Sequence, residues 1–156
     1  METEMLRLNF EQIPEDLMSS MLGVEKTVNK AGFEQSLLEL VRYYVSQINQ
    51  CAYCMDMHYK EAIAAGETVQ RLHSVMVWRE TAYYTEQERA VLAWTESVTL
   101  ISQASAEQQF LFENLCEYFD LEDIANLTLA ITQINSWTRL AKSFGFEAGS
   151  YEVGQH

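Results

Sequence analysis

Apolar residues recur every three or four positions along most of the chain, and this spacing constrains the fold more than any other feature. Residues at these intervals lie on one face of an α-helix. The clearest such stripe comprises Leu37, Leu38, Val41, Tyr44, Val45 and Ile48. No segment alternates polar and apolar residues over a useful length, and neither Asn-Gly nor Asp-Gly, the usual hairpin-turn pairs, occurs. The sequence therefore predicts an all-α fold.

The first half of the chain divides into four predicted helices. The first begins at Pro14, whose fixed φ suits a helix start, and ends at Gly32. The second carries the apolar stripe of residues 37–48. The third is expected to begin at residue 49 or 50 and to end near residue 65, with Gly66 in the terminating position. The fourth is expected to cover residues 67–80.

Capping patterns mark three further helices in the second half. The fifth helix is predicted to start at the capping box Thr85-Glu86-Gln87-Glu88, and the sixth at Ser105-Ala106-Glu107-Gln108. Asp120 can cap the seventh helix, which is expected to end before Gly145. The pattern thus predicts about seven helices.

The chain has the length of one domain, and we predict a single domain over residues 1–156 with its helical core at about 14–145. Residues 1–12 are expected to form an extended lead-in. Residues 147–156 show no apolar period and are expected to be a mobile tail. Four further residues are assigned to the core: Trp78, Trp94, Cys116 and Trp137.

The charge balance is strongly acidic. Ten Lys and Arg residues against twenty-three Asp and Glu residues give a formal net charge of −13. This excess repels phosphate backbones and anionic bilayers. The N-terminus carries acidic residues where a signal peptide would be basic, and no apolar run is long enough for a membrane span. We therefore predict a cytoplasmic protein that binds neither nucleic acid nor a membrane.

Two cysteines and a histidine stand close together in the third predicted helix. Cys54 follows Cys51 by three residues and His58 follows Cys54 by four, so the three side chains are expected on one helix face. A helix N-terminus stabilises a thiolate relative to a thiol, and an imidazole can accept or pass on the proton. Because the chain has only three cysteines, the pair indicates redox or metal chemistry instead of a secreted disulfide framework.

Three interpretations of this cluster follow from the residues. The cysteines and the histidine can be ordinary buried side chains of a helical core. Alternatively they bind zinc, with His73 or Cys116 as a fourth ligand. In the third interpretation the pair cycles between dithiol and disulfide, and one thiolate attacks a peroxide. Glu39, on the preceding helix, would then hold or relay the proton of His58.

The spacing of Glu39, the Cys51-Ala52-Tyr53-Cys54 pair and His58 resembles the signature of the alkylhydroperoxidase D-like (AhpD-like) branch of the carboxymuconolactone decarboxylase family. The similarity covers about residues 35–101, with a weaker match over residues 134–141. The combined pattern is specific, whereas a Cys-x-x-Cys pair alone would not be. The similar stretches include Leu38-Glu39-Leu40-Val41-Arg42, Val45-Ser46-Gln47-Ile48-Asn49 and Asp56-Met57-His58.

The resemblance implies an all-helical fold that assembles into homotrimers or homohexamers. It also implies a thiol-dependent peroxidase with an antioxidant role, which reduces organic hydroperoxides without a metal or organic cofactor and is regenerated by a thiol or dithiol reductant. By position in the motif, Cys54 would be the peroxidatic cysteine and Cys51 the resolving one. His58 and Glu39 would form the proton relay. We also expect Cys51 to be the thiol that faces external reductants.

One position departs from the family pattern. The best-studied members place a second histidine directly before the second cysteine, where this chain has Tyr53. Tyrosine can donate a hydrogen bond but cannot take up a proton near neutral pH, so the relay would be shorter. The decarboxylases of the wider family act on lactones without a cysteine pair, so the two cysteines favour a peroxidase over a decarboxylase. Two alternatives without turnover stay open, a zinc-stabilised helical binding module and a redox-responsive interaction protein.

Overall fold

The computed structural model describes residues 6–104 and 106–155. Within them the chain forms seven α-helices, three short 3-10 segments (Phe10–Gln12, Val75–Glu80 and Ile101–Gln103) and no strand, which confirms the predicted all-helical fold. The α-helices are α1 (Glu15–Lys30), α2 (Gln35–Ile48), α3 (Ala52–Ala64), α4 (Val69–Ser74), α5 (Glu86–Thr99), α6 (Gln108–Leu115) and α7 (Leu121–Phe144).

Local capping chemistry sets most helix ends where the sequence places them. Pro14 is the N-cap of α1. At the start of α5 the predicted capping box is complete, because the hydroxyl of Thr85 accepts the backbone N–H of Glu88 and the carboxylate of Glu88 accepts the backbone N–H of Thr85. The carboxylate of Asp120 accepts the backbone N–H of Asp123 at 2.8 Å and caps α7. Gly145 ends α7 with a left-handed φ of 77°, a conformation that glycine adopts without a Cβ penalty.

Of the predicted boundaries after α3, one needs correction and one lies outside the described residues. The predicted helix over 67–80 is α4 followed by a 3-10 segment, because Val77 leaves the helical region (φ −116°, ψ 29°). In this geometry Trp78 is buried and its indole N–H donates to the hydroxyl of Tyr44 at 3.1 Å. The proposed cap Ser105 lies outside the described residues, and α6 starts at Gln108.

Two further residue assignments are wrong. Cys116 is exposed, because α6 ends at Leu115 and Cys116 is its C-cap, outside the core. The predicted mobile tail, described as far as residue 155, is packed on α3. Tyr151 is only 6 % exposed, its hydroxyl donates to Glu61, and its carbonyl accepts the ammonium of Lys60 at 2.9 Å.

Helix α2 is the centre of the fold and packs against α3, α5 and α7. All residues from 38 to 46 are buried, so this helix is covered on every side. Leu40, Val41 and Val45 have no exposed surface. Two charged residues, Glu39 and Arg42, lie in the same buried stretch, and a buried charge is costly unless it is paired. Their partners define the candidate site.

None of the helices among the described residues is long and apolar enough to cross a bilayer.

The three tryptophans differ in burial. Trp78 and Trp94 are buried as predicted, whereas Trp137 on α7 is half-buried and lines a cavity.

Candidate active site

The turn between α2 and α3 places the cysteine pair. Helix α2 ends at Ile48, and Gln50 then takes a positive φ of 52°, which is uncommon for a residue with a side chain. The ammonium of Lys142 on α7 bonds the carbonyls of Asn49 and Gln50 at 3.1 and 3.0 Å, which holds this turn. Cys51 is therefore the N-cap of α3. The sequence prediction, which started this helix at residue 49 or 50 and so placed Cys51 in its first turn, is wrong at this point.

Cys51 and Cys54 are joined in a disulfide. The Sγ of Cys51 also accepts the backbone N–H of Cys54 at 3.3 Å, so it takes the place of a capping oxygen. Both residues are buried, with 1 % and 3 % of their surface exposed, and they pack against Ala141, Tyr53 and Phe146. Of the two, Cys54 lines the cavity described below and Cys51 does not. The expectation that Cys51 faces external reductants is therefore not met in this disulfide form.

His58 lies one helical turn after Cys54 and is held from the neighbouring helix. Its Nδ1 is 2.9 Å from Oε2 of Glu39 on α2, and both side chains are buried. A carboxylate at this nitrogen favours the tautomer with the proton on Nδ1, which leaves Nε2 as the proton acceptor. The structure thus brings together Glu39 and His58, the two residues of the predicted relay.

The other oxygen of Glu39 is equally engaged. Its Oε1 accepts the guanidinium of Arg42 at 2.6 Å and the side-chain amide of Gln35 at 3.0 Å. Burial is the largest single influence on Glu39 and acts to raise its pKa. The hydrogen bonds and charges of His58 and Arg42 together outweigh it, so the pKa of Glu39 lies below its ordinary value. The carboxyl group is therefore an anion at neutral pH.

Arg42 connects Glu39 and His58 to α1, so that the polar side chains form a continuous row. Its second terminal nitrogen is 3.0 Å from Glu25, whose other oxygen accepts the indole N–H of Trp137 at 2.8 Å. The row therefore runs from α7 through α1 and α2 to His58 on α3. Sequence reasoning did not assign roles to Arg42, Glu25 and Trp137. Arg42 had a signal, since it follows Glu39 by three residues on the same predicted helix. The sequence assigns Trp137 only to the core, and nothing in it marks Glu25.

A cavity of about 130 Å³ lies against this row. Cys54 and His58 share its wall, and most of its lining is apolar. The N-terminal segment reaches it because the N–H of Arg7 donates to the carbonyl of Phe144 at 2.8 Å, at the end of α7. The lining residues are Phe10, Met18, Leu22, Glu25, Arg42, Tyr53, Cys54, Met57, His58, Ile134, Trp137, Ala141 and Phe146.

Aromatic rings form one side of this cavity. Phe10 stacks on Phe146 with ring centroids 4.4 Å apart, and Tyr53 meets the same ring edge-on at 5.3 Å. Burial is the main reason why the pKa of Tyr53 is raised, with the nearby charge of Asp56 acting in the same direction. Tyr53 is therefore a neutral hydrogen-bond donor at physiological pH, as predicted for a residue that replaces histidine.

The predicted zinc ligands are not brought together. Cys116 is exposed at the end of α6, and His73 lines a separate shallow groove with Gln47 and Met55. Among residues 6–104 and 106–155, no three His, Cys, Asp or Glu side chains are grouped so that they could hold a metal ion. The ligand set proposed for the zinc interpretation is therefore wrong.

The fold and the site together define a class of protein: an all-helical chain whose core carries a Cys-x-x-Cys disulfide beside a histidine held by a buried glutamate. The model of the carboxymuconolactone decarboxylase family matches residues 15–97. The chain belongs to this family and to its AhpD-like branch, as the resemblance in the sequence indicated.

Three known proteins illustrate the relationship. The uncharacterized protein YdfG of Bacillus subtilis strain 168 is 35 % identical over 144 residues, which cover 92 % of this chain and 97 % of YdfG. ATU0492 of Agrobacterium tumefaciens is a protein of unknown function for which an AhpD-type role in antioxidant defence has been put forward. Its crystal structure is 35 % identical, covers 94 % of this chain and 100 % of its own, and superposes with a TM-score of 0.87.

The third protein, the debrominase Bmp8, is 17 % identical over 86 % of this chain and 72 % of its own, with a TM-score of 0.76. At this identity the similarity concerns the fold alone. The family is named for a decarboxylase, and the same fold occurs in a debrominase, so the fold by itself does not select a reaction.

Proposed function

We propose that the protein is a thiol-dependent peroxidase of the alkyl hydroperoxide reductase type, an oxidoreductase that uses a peroxide as electron acceptor. The observation that carries this proposal is that Cys54 and His58 line the same cavity while Glu39 holds His58 from behind. A peroxidatic thiol needs a proton acceptor before its attack and a proton donor after it. One histidine with a fixed tautomer can serve both needs in turn.

In the first step, His58 takes up the proton of Cys54, and the thiolate attacks the outer oxygen of the hydroperoxide. The O–O bond breaks, Cys54 becomes a sulfenic acid, and the alkoxide leaves with the proton returned by His58 as an alcohol. Glu39 stabilises the protonated imidazole between these events, because its carboxylate is ionised and 2.9 Å away.

In the second step, Cys51 resolves the sulfenic acid. Its sulfur attacks Sγ of Cys54 and the S–O bond breaks. The departing hydroxide takes up the proton of the Cys51 thiol and leaves as water, and the disulfide found in this structure results. Since Cys51 caps α3, its thiolate is stabilised by the helix N-terminus and by the N–H of Cys54. A thiol or dithiol then reduces the disulfide and completes the cycle.

The cavity favours a small organic hydroperoxide. An apolar cavity of roughly 150 Å³ can hold one benzene molecule in a protein core. The cavity here is of similar size, about 130 Å³, and its apolar lining offers few partners to a water-like peroxide. A substituent of four to six carbon atoms is therefore a suitable size, and tert-butyl hydroperoxide is a suitable probe. Assembly as a homotrimer or homohexamer and a cytoplasmic location stay predictions.

The deciding experiment uses fully reduced protein without oxygen and one equivalent of tert-butyl hydroperoxide. The remaining thiols are alkylated and the peptides analysed by mass spectrometry. We expect a rapid Cys51–Cys54 disulfide, with Cys116 still alkylated. Because Cys116 is exposed and lies outside the site, it serves as an internal control for unselective oxidation.

The variant Cys54→Ser should abolish peroxide consumption, whereas Cys116→Ser should leave it unchanged. Undiminished turnover by Cys54→Ser would refute the assignment of the peroxidatic cysteine. Slow oxidation of all three cysteines at similar rates would show that a peroxide is not the substrate. The debromination carried out by Bmp8 makes this test necessary, since the shared fold does not select the reaction.

A further inference from the structure

Arg42 is a buried cation that the proposed reaction does not use. Only 6 % of its surface is exposed, yet it lines the cavity beside Cys54 and His58. One terminal nitrogen of its guanidinium is 2.6 Å from Oε1 of Glu39 on the same helix, α2. The other is 3.0 Å from Oε2 of Glu25 on α1. A buried ion pair is weak evidence for a purely stabilising role, because desolvation offsets much of the attraction. Stability alone therefore does not account for Arg42, and its position suggests a role in the site.

The charges around the cavity are few and can be enumerated. On the cavity wall, α1 contributes Glu25, α2 contributes Arg42, and α3 contributes Tyr53, Cys54 and His58. Glu39 lies behind Arg42 and His58. The lining residues of α7 and of the two terminal segments are not ionisable, and Lys142 of α7 is bound to the carbonyls that precede Cys51. One positive charge thus lies between two carboxylates.

We propose that Arg42 is a positioning residue of the thiol site and that Glu25 opposes its effect. The guanidinium fixes Oε1 of Glu39, so that Oε2 stays on Nδ1 of His58. Its positive charge also favours the thiolate over the thiol at Cys54, since an opposite charge stabilises the ionised form. Glu25 neutralises part of that charge, and Trp137 keeps Glu25 in place. This inference rests on the thiol chemistry proposed above, but not on the identity of the oxidant.

Substitutions of Arg42 and of Glu25 are expected to shift the thiol equilibrium of Cys54 in opposite directions. This difference separates an electrostatic role from a structural one. Removing the charge of Arg42 leaves Glu25 and Glu39 facing each other and disfavours a further negative charge on Cys54. Removing the charge of Glu25 leaves Arg42 less neutralised and favours it. A role confined to packing would give no reason for the two substitutions to act in opposite directions.

The test measures the alkylation of Cys54 by iodoacetamide as a function of pH. It is made in a Cys51→Ser background, which prevents the disulfide, and Cys116 reports the intrinsic pH dependence of the reagent in the same sample. The variants are Arg42→Gln, Glu25→Gln, the two combined, and Arg42→Lys. Arg79→Gln is the matched control, because Arg79 also pairs with a glutamate, at 2.7 Å, but is largely exposed and lies outside the cavity.

We expect Arg42→Gln to move the alkylation midpoint of Cys54 upward by roughly one pH unit, and Glu25→Gln to move it downward. The alkylation midpoint of the combined variant should lie near that of the parent. Arg42→Lys keeps the positive charge, so most of the shift seen in Arg42→Gln should be absent, and Arg79→Gln should have no effect. An unchanged midpoint in Arg42→Gln, or shifts of the same sign in both single variants, would overturn the inference. If Arg42→Gln does not fold, Glu25→Gln decides alone, since it must shift the midpoint downward. Opposite shifts in a protein that does not consume peroxide would refute only the proposed function.

Discussion

Replacing Glu39 with alanine should destabilise the protein by about 3 kcal/mol at neutral pH. The carboxylate is 1 % exposed and accepts three hydrogen bonds, from Gln35, Arg42 and His58. Removing one member of a buried ion pair usually costs about 3–5 kcal/mol, because the partner is left without compensation. Here the lower end applies, since Arg42 keeps its ion pair with Glu25. The loss is a large part of the roughly 5–15 kcal/mol that stabilise a typical domain.

The pH dependence of this loss has a definite sign. The pKa of Glu39 in the folded protein lies below its ordinary value of 4.5. The folded state therefore binds the proton less readily than the unfolded state. The stabilisation by Glu39 is fully present above pH 4.5 and is lost as the pH falls through the pKa of the folded state. The difference in the free energy of unfolding between the wild-type protein and Glu39→Ala should therefore be smaller at about pH 3.5 than at pH 7.

Urea unfolding followed by tryptophan fluorescence, at one protein concentration and at pH 7 and about pH 3.5, measures both effects. Glu113→Ala is the matched control, because Glu113 is an exposed helical glutamate bonded only to Gln109 in the described contacts, at 2.8 Å. It should change the free energy of unfolding by less than about 0.5 kcal/mol at either pH. A cost below about 1 kcal/mol for Glu39→Ala at pH 7, or an equal cost at both pH values, would refute the reasoning.

Two further substitutions probe regions next to the site. Tyr151→Ala should cost about 2–4 kcal/mol, because it removes a buried ring and its bond to Glu61, and it should open residues 147–155 to limited proteolysis. Unchanged proteolysis would show that the segment is held elsewhere. Tyr53→His should raise the rate of peroxide consumption by roughly tenfold or more, since an imidazole can exchange a proton near neutral pH. An unchanged rate, measured with the same hydroperoxide, would mean that His58 alone limits the proton transfer.

Local signals account for the part of the fold that the sequence predicts. The capping box at Thr85, the aspartate cap of α7 and Gly145 each involve residues within four positions of one another. Such interactions can be recognised without knowing the tertiary structure. The apolar stripe of α2 is of the same kind. Its periodicity predicts the helix, and its nearly continuous apolar character fits a helix buried on all sides.

The errors arise where a distant contact decides. The chain after α7 has no apolar period, and it is fixed by Tyr151, which is more than ninety positions from its partner Lys60. The start of α3 is likewise set by Lys142, which bonds the two carbonyls before Cys51. Neither pairing leaves a trace in local spacing. Cys116 fails for a simpler reason, because the last apolar position of a short helix and the exposed cap after it look alike in sequence.

The cavity has a division that bears on how substrates are selected. The ionisable lining residues, including Cys54 and His58, fall within residues 15–97, the part matched by the family model. Phe10, Trp137 and Phe146 fall outside it, and together with Tyr53 they provide the aromatic part of the lining. The chemical groups and the shape of the cavity can therefore change separately. Two proteins with the same cysteine pair, histidine and glutamate can therefore differ in the size of the molecule that they admit, so the motif does not by itself determine the substrate.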